Sequence, residues 1–167
     1  MFTLRATKRL IDRLQPPLTA SPPPTTTVLG DWYATIVQVG RRPVVLAISE
    51  RTFLAVVVTL APAITLEARI REGIADALHR LPLTDADLVR ELTAMTDLAY
   101  GKTQSRQVTG VLVELARLLP AYVEGGSSLH EAEAQLRKTP CSPLYKGEVF
   151  PDAATIALFA ARSGAGV

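Results

Sequence analysis

Between Asp31 and Pro62 the chain reads DWYATIVQVGRRPVVLAISERTFLAVVVTLAP. Three runs rich in Val, Ile and Thr are separated by two short polar breaks, Gly40-Arg41-Arg42-Pro43 and Ser49-Glu50-Arg51-Thr52. Branching at Cβ and aromatic rings suit a pleated surface, so this spacing predicts a three-stranded antiparallel meander. Thr35 and Gln38 interrupt the first run, which marks an edge or half-exposed strand. The nearly continuous runs Val44 to Ile48 and Phe53 to Leu60 predict strands covered on both faces. So much apolar surface needs helices to cover it.

The chain supplies them. From Ala63 the period changes from two to about 3.6. Leu66, Ile70, Ile74, Leu78 and Leu81 form one stripe, which Pro82 ends. Thr84 caps a second helix with Asp85 and Asp87 in its first turn, the stripe Leu88, Leu92, Met95 and Ala99, and Gly101 as its stop. A third helix carries Val108, Leu112 or Val111, Leu115, Leu119 and Tyr122. Its apolar side is wide, which predicts the most buried helix of the chain, and Pro120 is expected to kink or end it. Ser128 and Glu131 form a capping-box pattern opening a short helix to about Lys138, and Pro151 starts a last helix reaching about Arg162. At the other end, Phe2 to Arg5 reads as a short strand and Lys8 to Leu14 as a helix capped by Thr7. That helix is basic on one side, which fits either a nucleic-acid or membrane contact or, with more weight, a terminal helix packed by its Leu residues. The expected fold is α+β: a small, mainly antiparallel sheet of three to four strands covered by about five helices.

A chain of 167 residues has room for one core, so residues 1–167 are read as a single domain. Gln15 to Thr27 carries five prolines and five Ser or Thr residues, and reads as an extended connection within that domain. The 18 basic and 16 acidic side chains are mixed along the sequence, so overall charge offers nucleic acid or anionic lipid little attraction. Pro43 to Ile64, the most apolar run, holds Glu50 and Arg51 near its middle. Burying either in hydrocarbon costs about 2.5 kcal/mol or more, which argues against a membrane span. The charged start of the chain lacks the apolar core of a signal peptide, and a single cysteine allows no internal disulfide; both point to the cytoplasm.

No strong catalytic motif is present: there is no Gly-Lys-Ser/Thr phosphate loop, no Gly-x-Ser-x-Gly elbow and no His-Glu-x-x-His. His79 and His130 fall on separate predicted helices and each has a structural explanation at a helix end, so no metal or cofactor is implied. Cys141, with Lys138 and Lys146 nearby in sequence, reads either as a reactive thiol of lowered pKa or as a small buried apolar residue, the second carrying more weight. A polar and charged set remains: Asp31, Glu50, Arg51, Lys102, Arg106, Tyr145 and Lys146. If their loops meet at one end of the sheet, the cations form an anion or phosphate site with Glu50 as general acid or base. The competing reading pairs Asp31 and Glu50 with Arg51 and Arg106 to fix the loops.

Three stretches resemble an uncharacterised bacterial family, the domain of unknown function DUF6933. They are Phe2-Thr3-Leu4-Arg5-Ala6-Thr7-Lys8 with Leu10 and Leu14; Leu29-Gly30-Asp31-Trp32-Tyr33-Ala34 with Glu50-Arg51-Thr52; and Thr139-Pro140-Cys141-Ser142-Pro143-Leu144-Tyr145-Lys146. Lys102-Thr103 and Arg106 with Val108 and Gly110 are similar too, although Ser105 stands where the family pattern has Asn. The resemblance implies a stand-alone bacterial cytoplasmic protein and brings no activity with it. The function read from the residues is a non-enzymatic interaction or regulatory module with a protein partner or a second copy of itself. An enzyme acting on a phosphate-bearing substrate, or an RNA-binding protein using the Glu/Arg/Lys loops, is the alternative.

Overall fold

The computed structural model describes residues 1–144 and 146–165. Strand β1 (Phe2–Ala6) leads into helix α1 (Lys8–Leu14). The meander follows as β2 (Trp32–Val39), β3 (Arg42–Ser49) and β4 (Ala55–Thr59). After a short 3-10 turn come α2 (Leu66–His79), α3 (Asp85–Ala94), β5 (Leu98–Lys102), α4 (Arg106–Glu124), α5 (Leu129–Arg137) and α6 (Pro151–Gly164).

The strands form one sheet in the order β4-β3-β2-β1-β5. The β2–β3 and β3–β4 pairs are antiparallel, as the meander predicts, but β1 lies parallel to both β2 and β5. Among the described residues the sheet is therefore mixed and five-stranded rather than mainly antiparallel with three or four strands, and six α-helices accompany it. Parallel neighbours need a long crossover, and α1 with the Pro-rich stretch supplies the one between β1 and β2. Along that route Thr19 N–H donates to the Tyr100 carbonyl (2.8 Å) and Thr26 N–H to that of Met1 (2.9 Å), so the connection runs beside the outer edge of β5.

Strand β5 is the main departure from the helical stripe. Leu98 and Ala99 continue the spacing of α3, yet that helix ends at Ala94, and Leu98 to Lys102 pair residue by residue with Phe2 to Ala6. Every residue of β1 is buried, so the slot beside it offers ladder hydrogen bonds and burial together, which outweighs a local helical period. Gly101 is thus no helix stop but a strand residue; a Cβ there would press on Thr3 Cγ2 at 3.0 Å and on Arg5 Nη1 at 3.3 Å.

Alternation along the strands divides the core in two. Trp32, Ala34, Ile36, Val45, Ala47 and Val56 face α1, α2, α3 and α6 through Leu10, Leu66, Ile70, Ile74, Leu88 and Phe159. Tyr33, Val37, Val44, Leu46, Ile48 and Ala55 face α4 and α5 through Val108, Leu112, Leu115, Leu119, Ala132 and Leu136. Val44 to Ile48 is a strand covered on both faces, but the run Phe53 to Leu60 yields the edge strand β4, with Val57 and Val58 only half-buried. Strand β2, expected at an edge or half-exposed, instead lies between β1 and β3 and is mostly buried. Strand β4, at the sheet's edge, has two of its outward groups occupied: Glu133 Oε2 accepts from Val57 N–H at 2.7 Å, and Arg69 Nη2 donates to the Thr59 carbonyl, and to those of Leu60 and Pro62 just beyond the strand, at 2.8–3.0 Å. Both devices close an edge against further pairing.

Of the two outcomes expected at Pro120, a kink or an end, the end does not occur, for α4 continues four residues further. Contrary to expectation, α4 is not the most buried helix. In 19 residues it buries Val108, Leu112, Leu115 and Leu119, whereas the 14-residue α2 buries five. The far side of α4 lies open, with Val113 61% exposed.

Candidate functional site

Asp31, Glu50 and Arg51 do gather at one end of the sheet, where the loop Thr27 to Asp31 enters β2. Each is engaged with backbone. Asp31 Oδ1 accepts from Thr3 N–H at 3.0 Å and its Oδ2 from Arg5 Nε at 3.2 Å, a buried ion pair between β1 and the start of β2. Glu50 Oε1 accepts from Asp31 N–H at 3.0 Å, while Glu50 N–H donates to the Asp31 carbonyl at 2.9 Å. Arg51 Nη1 donates to the Val28 carbonyl at 2.8 Å and reaches that of Thr27 at 3.5 Å. From the opposite side Glu91 of α3 accepts from Val28 N–H (2.6 Å) and Leu29 N–H (3.1 Å). A cation thus takes the loop's carbonyls and an anion takes its N–H groups. Burial pushes the Glu91 carboxyl up, against the two hydrogen bonds and the charges of Arg162 and Arg51.

Gly30 makes this arrangement possible. Its φ is +81°, in the region where a side chain is strained, and a Cβ would fall on the Glu50 carboxylate. The ion pair differs from the one expected on sequence: Asp31 takes Arg5, and neither acid takes Arg51 or Arg106. Arg5 and Glu91 had signals of their own, a lone cation in an apolar strand and a lone acid at i+3 from Leu88 on an apolar stripe, both patterns of a buried polar partner.

The other cations are dispersed. Lys146 shares an open groove of about 390 Å³ with Arg51, Leu144, Glu148 and Leu158. Arg106, the first residue of α4, faces a different recess; Pro143 lines both. Lys102 lines neither, and its carbonyl accepts from Arg5 Nη1 at 3.3 Å. Tyr145 lies outside the described residues.

The recess at Arg106 has a volume of about 650 Å³. One wall is the N-terminal half of α4, with Arg106, Gln107, Gly110, Val111, Glu114 and Leu115; the other is Thr139 to Pro143. Ser105 starts α4 as its N-cap, accepting from Val108 N–H at 3.2 Å, while its own N–H donates to Tyr33 Oη at 3.1 Å and so ties the helix start to β2. Thr139 Oγ1 donates to the Gln135 carbonyl and Cys141 N–H to that of Val149, which hold the facing segment at the end of α5. A second concavity of about 460 Å³ lies on the far side of Arg106 and Gly110, against Thr103 to Ser105 and Val113. Nothing approaches within 4 Å of a Cβ built on Gly110, so neither packing nor backbone conformation requires glycine there.

Cys141 opens on this recess but is 5% exposed. Desolvation, followed by the charge of Glu114, pushes its thiol from 9.0 up to about 11, the reverse of the lowered pKa that neighbouring lysines imply. Its Sγ lies 3.5 Å from the Thr139 carbonyl. At neutral pH it is a protonated, small buried group.

Among the described residues no set of three or more His, Cys, Asp or Glu side chains is placed to hold a metal, and no helix is long and apolar enough to cross a membrane.

A mixed five-stranded α+β sheet with a loop clamped at one end and a helix left open on its far side defines the class structurally. The chain belongs to the family described as domain of unknown function DUF6933, whose model matches residues 3–154. No curated protein and no solved structure matches it.

Proposed function

We propose that this protein is a non-enzymatic interaction module whose contact surface is the open side of α4 with the recesses flanking it. The observation that carries the reading is Gly110. A glycine inside a helix costs roughly 0.5–1 kcal/mol relative to alanine, and here no neighbour needs the space. The cost makes sense where a partner's side chain or backbone approaches the helix. Val113 beside it is exposed, and the recesses give both rims of the helix a shape to be read.

The alternative, a phosphate-bearing substrate or RNA held by Glu50, Arg51, Lys102, Arg106 and Lys146, has less behind it. Glu50 and Arg51 are engaged with loop backbone, and Arg106 lines a different concavity from Arg51 and Lys146.

Affinity capture from an extract of the source organism tests the proposal, with wild-type and Gly110→Trp chains compared after equal thermal stability is established. A partner held by the wild type and lost by the variant is the expected result. Identical captured sets would overturn it. Stabilisation by nucleotides or short RNA that disappears on Arg51→Ala or Lys146→Ala would favour the alternative.

A further inference from the structure

The side of α4 that carries this reading is complementary to itself. Arg106, Gly110, Val113, Glu114 and Arg117 are all exposed and recur at the three- and four-residue steps that place side chains on one side of a helix. Charge is distributed unevenly about Gly110. Arg106 stands four residues before it and Glu114 four residues after it. In an antiparallel pairing of two such helices about a two-fold axis at Gly110, each residue meets the one equally far beyond the axis on the other copy. Arg106 then faces Glu114 of the second copy, twice over, and Val113 faces Gln107.

We infer that the occupant of this surface is a second copy of the chain, docked through α4 in an isologous, antiparallel dimer with Gly110 at the crossing point. The inference rests on the reading of α4 as the contact surface. Two features beyond the charge pattern support it. Among the described residues Arg106 forms no ion pair, and Glu114 holds only Arg117, at 3.0 Å with both side chains mostly in solvent, a contact weak enough to share or exchange. With no Cβ at 110, the two backbones approach more closely than ordinary side chains allow, so the flanking charges come within reach of each other. Self-complementarity of this kind is what an isologous interface requires. One helix face with its rims is a small interface, so the dimer should dissociate on dilution.

Sedimentation equilibrium of the full chain tests this with reversed charges. The wild type should move from 18.0 kDa toward twice that mass with rising concentration. Arg106→Glu and Glu114→Arg should each weaken association roughly tenfold or more, because each sets like charges together at two points. The double reversal should restore it to within about threefold, as coupled partners do. A wild type that stays at 18.0 kDa up to about millimolar protein would overturn the inference, as would a dimer indifferent to the single reversals or not restored by the double. A monomer that still loses a captured partner on Gly110→Trp would refute the second copy and leave the interaction reading standing; a dimer that responds as stated supports both.

Discussion

At the scale of single residues, the loop Thr27 to Asp31 shows how polar groups in a core-building stretch are used. Gly30 adopts φ +81°, and the space its side chain would need is filled by Glu50. Gly30→Ala should therefore destabilise the chain by about 2 kcal/mol or more, combining backbone strain with displacement of the carboxylate. Denaturant unfolding would register it, and a loss below about 0.5 kcal/mol would contradict the close approach. Cys141 yields a pH prediction. Its thiol is held near 11 in the folded chain, above its value in an unfolded one, so the folded state keeps the proton that the unfolded state loses. That contribution to stability is complete below about pH 8.5 and falls away as pH rises toward 11. Alkylation by iodoacetamide at pH 8 should be at least about tenfold slower for the native chain than in denaturant. Equal rates would mean an accessible, ionisable thiol.

At the scale of elements, what could be read in the sequence depended on whether the deciding interaction was local. The meander was legible because Val44 to Ile48 and Ala55 to Val58 carry a β-branched composition between short polar breaks, although only the first of these runs is buried throughout. The Ser128–Glu131 box and the Thr84 cap were legible because capping acts within one turn. Strand β5 was not, since Leu98 and Ala99 fit the stripe of α3 and only the vacant side of β1, almost a hundred residues away in sequence, selects a strand. The acids Asp31 and Glu50 were legible as polar groups in an apolar context, but their partners, Thr3 and Arg5 for the first and the Asp31 N–H for the second, are set by the fold. The edge of β4 belongs to the same class: Glu133 caps Val57 N–H and pairs with the buried Arg137, whose Nε lies 3.6 Å from Asp152 of α6. Glu133→Ala removes the cap and leaves Arg137 with Asp152 as its one ion-pair partner beside the Ala55 carbonyl, a loss of roughly 3–5 kcal/mol by analogy with other broken buried pairs. Hydrogen exchange should show Val57 losing protection in that variant; unchanged stability and protection would show the network to be dispensable.

At the scale of the whole molecule, the two faces of the sheet are covered unequally. Four helices close one face, whereas α4 and α5 close the other and α4 keeps a solvent-facing side with Gly110, Val113 and alternating charge. The wide apolar side that predicted burial of α4 is real in sequence; part of it is available to another molecule, which in this account is a second copy. Backbone amide spectra of the uniformly labelled full chain, recorded over a dilution series, test that directly. Concentration-dependent shifts should cluster at Thr103 to Arg117 and at Thr139 to Pro143, and should vanish in Arg106→Glu. Spectra that do not change on dilution, or changes centred on Thr27 to Asp31 and the groove of Arg51 and Lys146, would contradict it.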